Sequence, residues 1–195
     1  MVKVIPVFIE KNPPCESCIL GKHKRTSFPQ SSTQAKQHLE LVHIDLCGPM
    51  QIKSIGASIY FIMFINYFSR KIWIYFLIHK SETFAKFKEF KAEAEKQSGK
   101  YVKVIRSDGG GEYSSKEFAN FCKSQGIIMQ TTIRYTPQQN GVAERKNQTI
   151  MNMERSLLKD KCLSNTFWAE AVACSAYLLN RSSTTSLKMK VPQEA

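Results

Sequence analysis

The chain has 195 residues, 43% hydrophobic and 23% charged, enough for one packed domain of about 150 residues with an appendage. Its 28 Lys and Arg against 16 Asp and Glu give a net charge of +12, which favours a polyanionic partner such as nucleic acid; the bland alternative is a merely basic soluble protein. Several classes are excluded: the longest apolar run (IYFIMFI, 59–65) falls far short of the ~20 residues of a membrane span, MVKVIPVFIEKNPP lacks a secretory h-region, and six scattered Cys fit a reducing compartment better than a disulfide framework.

In chain order, the first patterned feature is CESCILGKHKRTSF, where Cys15 and Cys18 have the spacing of half a zinc site and a small basic cluster follows. PQSSTQAKQ reads as a linker. From Leu39 the texture changes. LELVHIDL predicts a strand ending at the Gly48-Pro49 turn, and ASIYFIMFIN and KIWIYFLIH predict two more, completing an antiparallel meander. A helix is expected next, with Ser81 as its N-cap, Phe84, Phe87, Phe90 and Ala94 on its apolar face, and Gly99 closing it. YVKVIRS is a strand running into Asp108, SSKEFANFCKSQG a helix, IIMQTT a last strand, and IRYTPQQNG a loop. A helix from about Asn140 or Gly141 carries Val142, Thr149, Met153 and Leu157 along one expected face, and another covers about 165–180. The order βββαβαβα plus a further helix implies a mixed sheet with helices on its faces.

Three carboxylates stand in short distinct motifs: Asp45 in HIDLCGPM, Asp108 in RSDGGGEY and Glu144 in NGVAERKN. Asp45 lies late in the first strand and Asp108 just past the fourth, so pairing of those strands would bring them together. Glu144 falls in the first turn of its helix, roughly 200° around the wheel from Val142 and so off the expected core stripe. Three gathered carboxylates can hold two Mg²⁺ ions, the apparatus for attack on a phosphodiester. Taken singly, each is more often solvated surface, and the glycines after Asp108 are more often a plain turn. The set, in a basic chain, points to chemistry on nucleic acid.

The run HIDLCGPM, YFSRKIWIYFL, VIRSDGGGEY, YTPQQNGVAERKN resembles the integrase core of copia-type LTR retrotransposons, within the retroviral-like DDE integrases. The resemblance extends from about Leu39 to the C-terminus, and the 35 residues between Asp108 and Glu144 match the family pattern. It implies an α/β, RNase H-like fold: a mixed five-stranded sheet flanked by helices, preceded by a truncated zinc-binding segment. It implies catalytic and metal-holding roles for Asp45, Asp108 and Glu144, with Mg²⁺ or Mn²⁺, in DNA strand transfer from element-end DNA to target DNA. Arg145 and Lys146 are expected to touch DNA phosphates, and Gln138, Gln139 and Asn140 to position the DNA end. The implied partners are the two DNAs and further copies of the chain, with no membrane. The implied setting is the nucleus, after a cytoplasmic phase as part of a polyprotein or virus-like particle. The alternatives are an RNase H-like nuclease and an inactive nucleic-acid-binding remnant of a decayed element.

Cys15 and Cys18 resemble the end of the His-His-Cys-Cys module that precedes such cores, where two His lie upstream. No His occurs in residues 1–14, so the Zn²⁺ ligand set is incomplete and a fragment is expected. The expected organisation is a zinc-module remnant at 1–28, a linker at 29–38 and the catalytic core at 39–195. Two departures stand out. Asn66 and Tyr67 replace the acids of the usual DDYSR or DDFSR, and Gly109 replaces the Asn of SDNGGEF.

Overall fold

The computed structural model describes residues 35–131, 141–184, 187 and 189–195. The three β-branched and aromatic runs become strands β1 (Leu41–Cys47), β2 (Tyr60–Asn66) and β3 (Ile72–Leu77), paired as antiparallel neighbours. Strands β4 (Val104–Ser107) and β5 (Ile128–Thr131) add in parallel, giving the order β3-β2-β1-β4-β5. This is the mixed five-stranded sheet expected above. Its helices are α1 (Thr83–Ser98), α2 (Lys116–Ser124), α3 (Gly141–Asp160) and α4 (Trp168–Arg181). No helix among the described residues is long and apolar enough to cross a membrane.

Side-chain alternation assigns each strand residue to one of two cores. Val42, Ile44, Ile62 and Phe64 face α1 and α2, packing with Phe87, Phe90 and Phe118. Phe64 stacks on Phe90 with ring centroids 4.2 Å apart and planes within 3°. On the opposite face Phe61, Met63, Ile65 and Ile72 pack with α3 and α4 through Ala143, Ile150, Trp168 and Val172. The central strand is thus buried on both sides, as a sheet with helices on each face requires.

Two local expectations are corrected. Ser81 does not cap α1: residues Lys80–Glu82 form a 3-10 turn, and the Glu82 carboxylate accepts from the backbone N–H of Ile78 (3.1 Å) and His79 (2.6 Å). One carboxylate oxygen, Oε1, accepts both bonds, and the Glu side chain is long enough to reach back three and four residues along the chain. Gly99 does end the helix, in the left-handed region at φ +63°. In α3, the buried stripe is Ala143, Ile150, Glu154 and Leu158, one residue later than expected. The sequence offers two apolar stripes a residue apart. The one with small Ala143 lets the start of the helix close against Met63 and Ile65.

The free edge of the sheet is covered locally by α4. Asn180 accepts from the Ile72 N–H and donates to the Ile72 carbonyl, each at 2.8 Å. Both groups are buried, so their loss leaves an unsatisfied donor and acceptor. Asn180→Ala should therefore lower unfolding stability by about 2 kcal/mol, measured by urea titration against the parent chain.

Candidate active site

Strand pairing builds the site. His43 of β1 stands opposite Arg106 of the parallel β4. Two residues further along both chains, Asp45 comes level with Asp108, the first residue past β4. Asp45 alternates onto the face covered by α3 and is half-buried. Its Oδ2 accepts a hydrogen bond from Asn147 Nδ2 at 2.9 Å. Asp108 is exposed, and its Oδ1 accepts from the Gly110 N–H at 3.1 Å. Gly109 between them sits at φ +79°, where a Cβ would come within 2.5 Å of Thr131 Cγ2 on β5. Glycine therefore suits the turn at this departure from the usual motif. Glu144 is exposed in the first turn of α3, and Asn147 follows it by three residues on the same side of the helix.

The acids share one field. Burial pushes the Asp45 carboxyl up to about 6, the Asn147 hydrogen bond opposes this, and the charges of Asp108, Glu144 and Glu112 raise it further. Burial, then the charges of Asp45, Glu112 and Asp108, hold the Tyr113 phenol well above its usual range. The structure thus brings the three expected carboxylates within electrostatic reach of one another and adds a fourth, Glu112. Among the described residues, no three His, Cys, Asp or Glu side chains converge tightly enough to enclose a metal ion. The donor chemistry still fits a hard divalent cation, since every charged group here is a carboxylate. Among the described residues, the Asn147 Oδ1 and the Tyr113 hydroxyl, buried beside these acids, have no hydrogen-bond partner. Such oxygens suit a hydrated cation.

Of the remaining expected residues, Arg145 is exposed and Lys146 half-buried, both on the α3 turn that carries Glu144. Burial, then the charge of Arg70, holds the Lys146 ammonium below its usual range. His43 is buried on the Asp45 face with its ring centroid 5.6 Å from that of Tyr67. Asn66 is the buried last residue of β2, and its Oδ1 accepts from the Phe68 N–H at 3.1 Å. It pairs with Val42, three residues from Asp45, so this departure stays clear of the acids. Cys15, Cys18, Gln138, Gln139 and Asn140 lie outside the described residues. Asn147, Glu112 and Tyr113 are site residues that motif reading passed over. The i+3 spacing from Glu144 was the available signal for Asn147. For Glu112 and Tyr113 it was their place in DGGGEY, where the glycines drew attention.

The Asp45 environment has a measurable consequence in metal-free protein. Its folded carboxyl titrates near 6, above the ordinary value of 3.8, so the folded state holds the extra proton between those values. Stability is then fullest below pH 4 as far as this group is concerned, and falls as pH rises through about 6. Asp45→Asn should remove that decline and raise stability at pH 7.5 by about 2 kcal/mol, read from unfolding midpoints at pH 4.5 and 7.5 in chelator.

Comparison with known proteins places this geometry in context. Residues 35–137 match the family model described as Integrase core domain. The chain is 46% identical over 180 residues to the retrovirus-related Pol polyprotein from transposon TNT 1-94 of Nicotiana tabacum, covering 92% of this chain. It is 30% identical over 178 residues to the corresponding polyprotein from transposon RE2 of Arabidopsis thaliana, covering 91% of this chain. The chain spans only 14% and 12% of the lengths of these two relatives. Among solved structures, a simian T-cell lymphotropic virus intasome in complex with PP2A regulatory subunit B56 gamma superposes with TM-score 0.69 at 18% identity, covering 92% of this chain and 62% of that one. The HTLV-2 integrase catalytic core domain in complex with magnesium, in its trimeric form, gives TM-score 0.58 at 19% identity, covering 80% of this chain and 94% of that one. These likenesses carry the fold, which is RNase H-like as in integrase catalytic cores. By fold and by sequence, this chain belongs to the integrase core domain family.

Proposed function

We propose that the chain is the catalytic core of a retrotransposon integrase that joins the 3′ end of element DNA to host DNA, with Asp45, Asp108 and Glu144 as its catalytic carboxylates. One observation carries the reading: parallel pairing sets Asp45 level with Asp108, and α3 brings Glu144 into the same field. The similarity to plant retrotransposon Pol polyproteins supports it.

The three carboxylates would hold Mg²⁺ or Mn²⁺, which when bound neutralises their repulsion and stabilises charge on the attacking and leaving oxygens. Asp108 and Glu144 are exposed, so rotation of their side chains toward Asp45, for Asp108 with release of its Gly110 N–H bond, would close the set. Asn147 holds Asp45 Oδ2 in place through its 2.9 Å hydrogen bond and is a positioning residue. In the joining step a 3′-hydroxyl gives up its proton to solvent as its oxygen bonds to a target phosphorus, the P–O3′ bond of the target breaks, and the released O3′ takes up a proton from solvent. Arg145 and Lys146 would meet DNA phosphates beside this centre, and Gln138, Gln139 and Asn140 would position the DNA end. The wider reading makes 1–28 part of a zinc module using Cys15 and Cys18, 29–38 a linker and 39–195 the core. In that reading the protein acts as an oligomer on nuclear DNA after a cytoplasmic phase in a polyprotein or virus-like particle.

The test is joining of a recessed element-end oligonucleotide to plasmid DNA with Mn²⁺ or Mg²⁺. Asp108→Asn should reduce joining by at least about 100-fold, the loss of several kcal/mol of transition-state stabilisation, while leaving salt-dependent DNA binding in place. Nicked plasmid without joined strands would assign hydrolysis by water instead. Binding without any metal-dependent product would leave only a nucleic-acid-binding remnant.

A further inference from the structure

The departure at Tyr67 and the unpaired cations around it lead to a second site. Helix α3 carries Val142, Arg145, Lys146 and Thr149 at i, i+3, i+4 and i+7, a single face distinct from its buried stripe. That face lines a cavity of about 330 Å³ together with Ile65, Tyr67, Arg70 and Thr184. Arg70 comes from the turn between β2 and β3, and its guanidinium lies 4.3 Å from the centre of the Tyr67 ring. The Arg145 guanidinium folds back over Gly141, with Nη1 3.1 Å from where a Cβ would stand. Ion pairs among the described residues join Lys86 to Glu89, Lys91 to Glu95 and Lys161 to Asp160, so none of the three cavity cations has a carboxylate partner.

Three like charges around one small space repel each other, and an anion in that space relieves all three. The hydroxyls of Tyr67 and Thr184 add donors of the kind that meet phosphate oxygens, while the Thr149 hydroxyl donates to the Arg145 carbonyl at 2.8 Å. The volume corresponds to about ten waters, room for a phosphodiester group and part of its hydration. The sequence departure bears on this directly. An Asp at position 67, as in the usual motif, would set a negative charge on the cavity wall next to Arg70. Tyr67 instead leaves Arg70 uncompensated and supports its guanidinium with a ring face.

We propose that this cavity is a phosphate seat for the DNA backbone, with Arg70 of the β2–β3 turn joining Arg145 and Lys146 of α3 around one phosphate beside the carboxylate site. The proposal rests on the DNA reading above and adds to it a binding residue from a different element of the fold. Arg145 and Lys146 share one α3 turn with Glu144, so a strand held here runs along the flank of the helix whose other edge carries the acids.

The test is the salt dependence of binding by the 195-residue chain to a fluorescent DNA duplex, followed by anisotropy. Each phosphate neutralised contributes about 0.9 to the slope of log K against log salt. Arg70→Gln should lower that slope by about 0.9. Lys123→Gln, which removes an exposed cation from α2 outside the cavity, should leave it near the parent value. Thr149→Glu, at an exposed helix position on the cavity wall, should weaken binding at least as much as Arg70→Gln and guards against a folding defect at the turn. Equal slopes for Arg70→Gln and Lys123→Gln overturn the seat while the DNA reading stands. No salt-dependent binding by the parent chain overturns both. Loss of the Arg70 contribution in millimolar inorganic phosphate at matched ionic strength would assign the cavity to a free phosphate and overturn the DNA assignment.

Discussion

Strand β1 hydrogen-bonds to β2 on one side and to β4 on the other, with His43 opposite Ile65 in one pairing and Arg106 in the other. Everything else in the molecule is arranged around that double pairing. The antiparallel side closes as a meander, through residues 48–59 from β1 to β2 and 67–71 from β2 to β3. The parallel side needs a crossover, which α1 supplies between β3 and β4. Because β1 and β4 run the same way, their ends emerge together, and the acid at each end meets the other. A slip of one residue would turn Asp45 into the opposite core, among Phe64 and Phe87. The hydrophobic alternation of Val42 and Ile44 against His43 and Asp45 prevents that slip, so the packing of one core fixes the acid of the site on the other face.

Helix α3 then divides its circumference among three tasks. Ala143, Ile150 and Leu158 hold it to the sheet, Glu144 and Asn147 turn toward Asp45, and Arg145, Lys146 and Thr149 line the cationic cavity. Steps of about 100° per residue make this division possible along one helix. The consequence is a sharp contrast of charge across one helix. Negative charge is concentrated where Asp45, Asp108, Glu112 and Glu144 face each other, and positive charge without a counter-ion lies on the neighbouring edge. A chain of net charge +12 whose Asp45, Asp108, Glu112 and Glu144 share one field is suited to drawing in a polyanion and meeting it with cations at the acids.

The strands and helices were legible in the sequence because their signals are local. β-branched and aromatic runs marked β1 to β3, and glycines marked where α1 and α2 stop. The failures were also physical. Ser81 looked like a cap, but it lies inside a 3-10 turn, and the Glu82 carboxylate accepts from the Ile78 and His79 N–H groups that lead into that turn. The apolar stripe of α3 was placed one residue early, because two stripes of similar hydrophobicity run side by side and only contact with the sheet chooses between them. Asn147, Glu112 and Tyr113 went unnoticed for a different reason. Their roles exist only through partners far away in the chain, 102 residues away for the hydrogen bond from Asn147 to Asp45.

By itself the sequence determined the element order, the mixed sheet and the three acids in their motifs, since periodicity, turn residues and spacing are written along the chain. Only the tertiary structure decided that Asp45 is held by Asn147, that Glu112 joins the acidic field and that Arg70 faces Lys146 across a cavity. Burial, desolvation and charge coupling depend on which distant residues are brought together, and no local pattern encodes that distance.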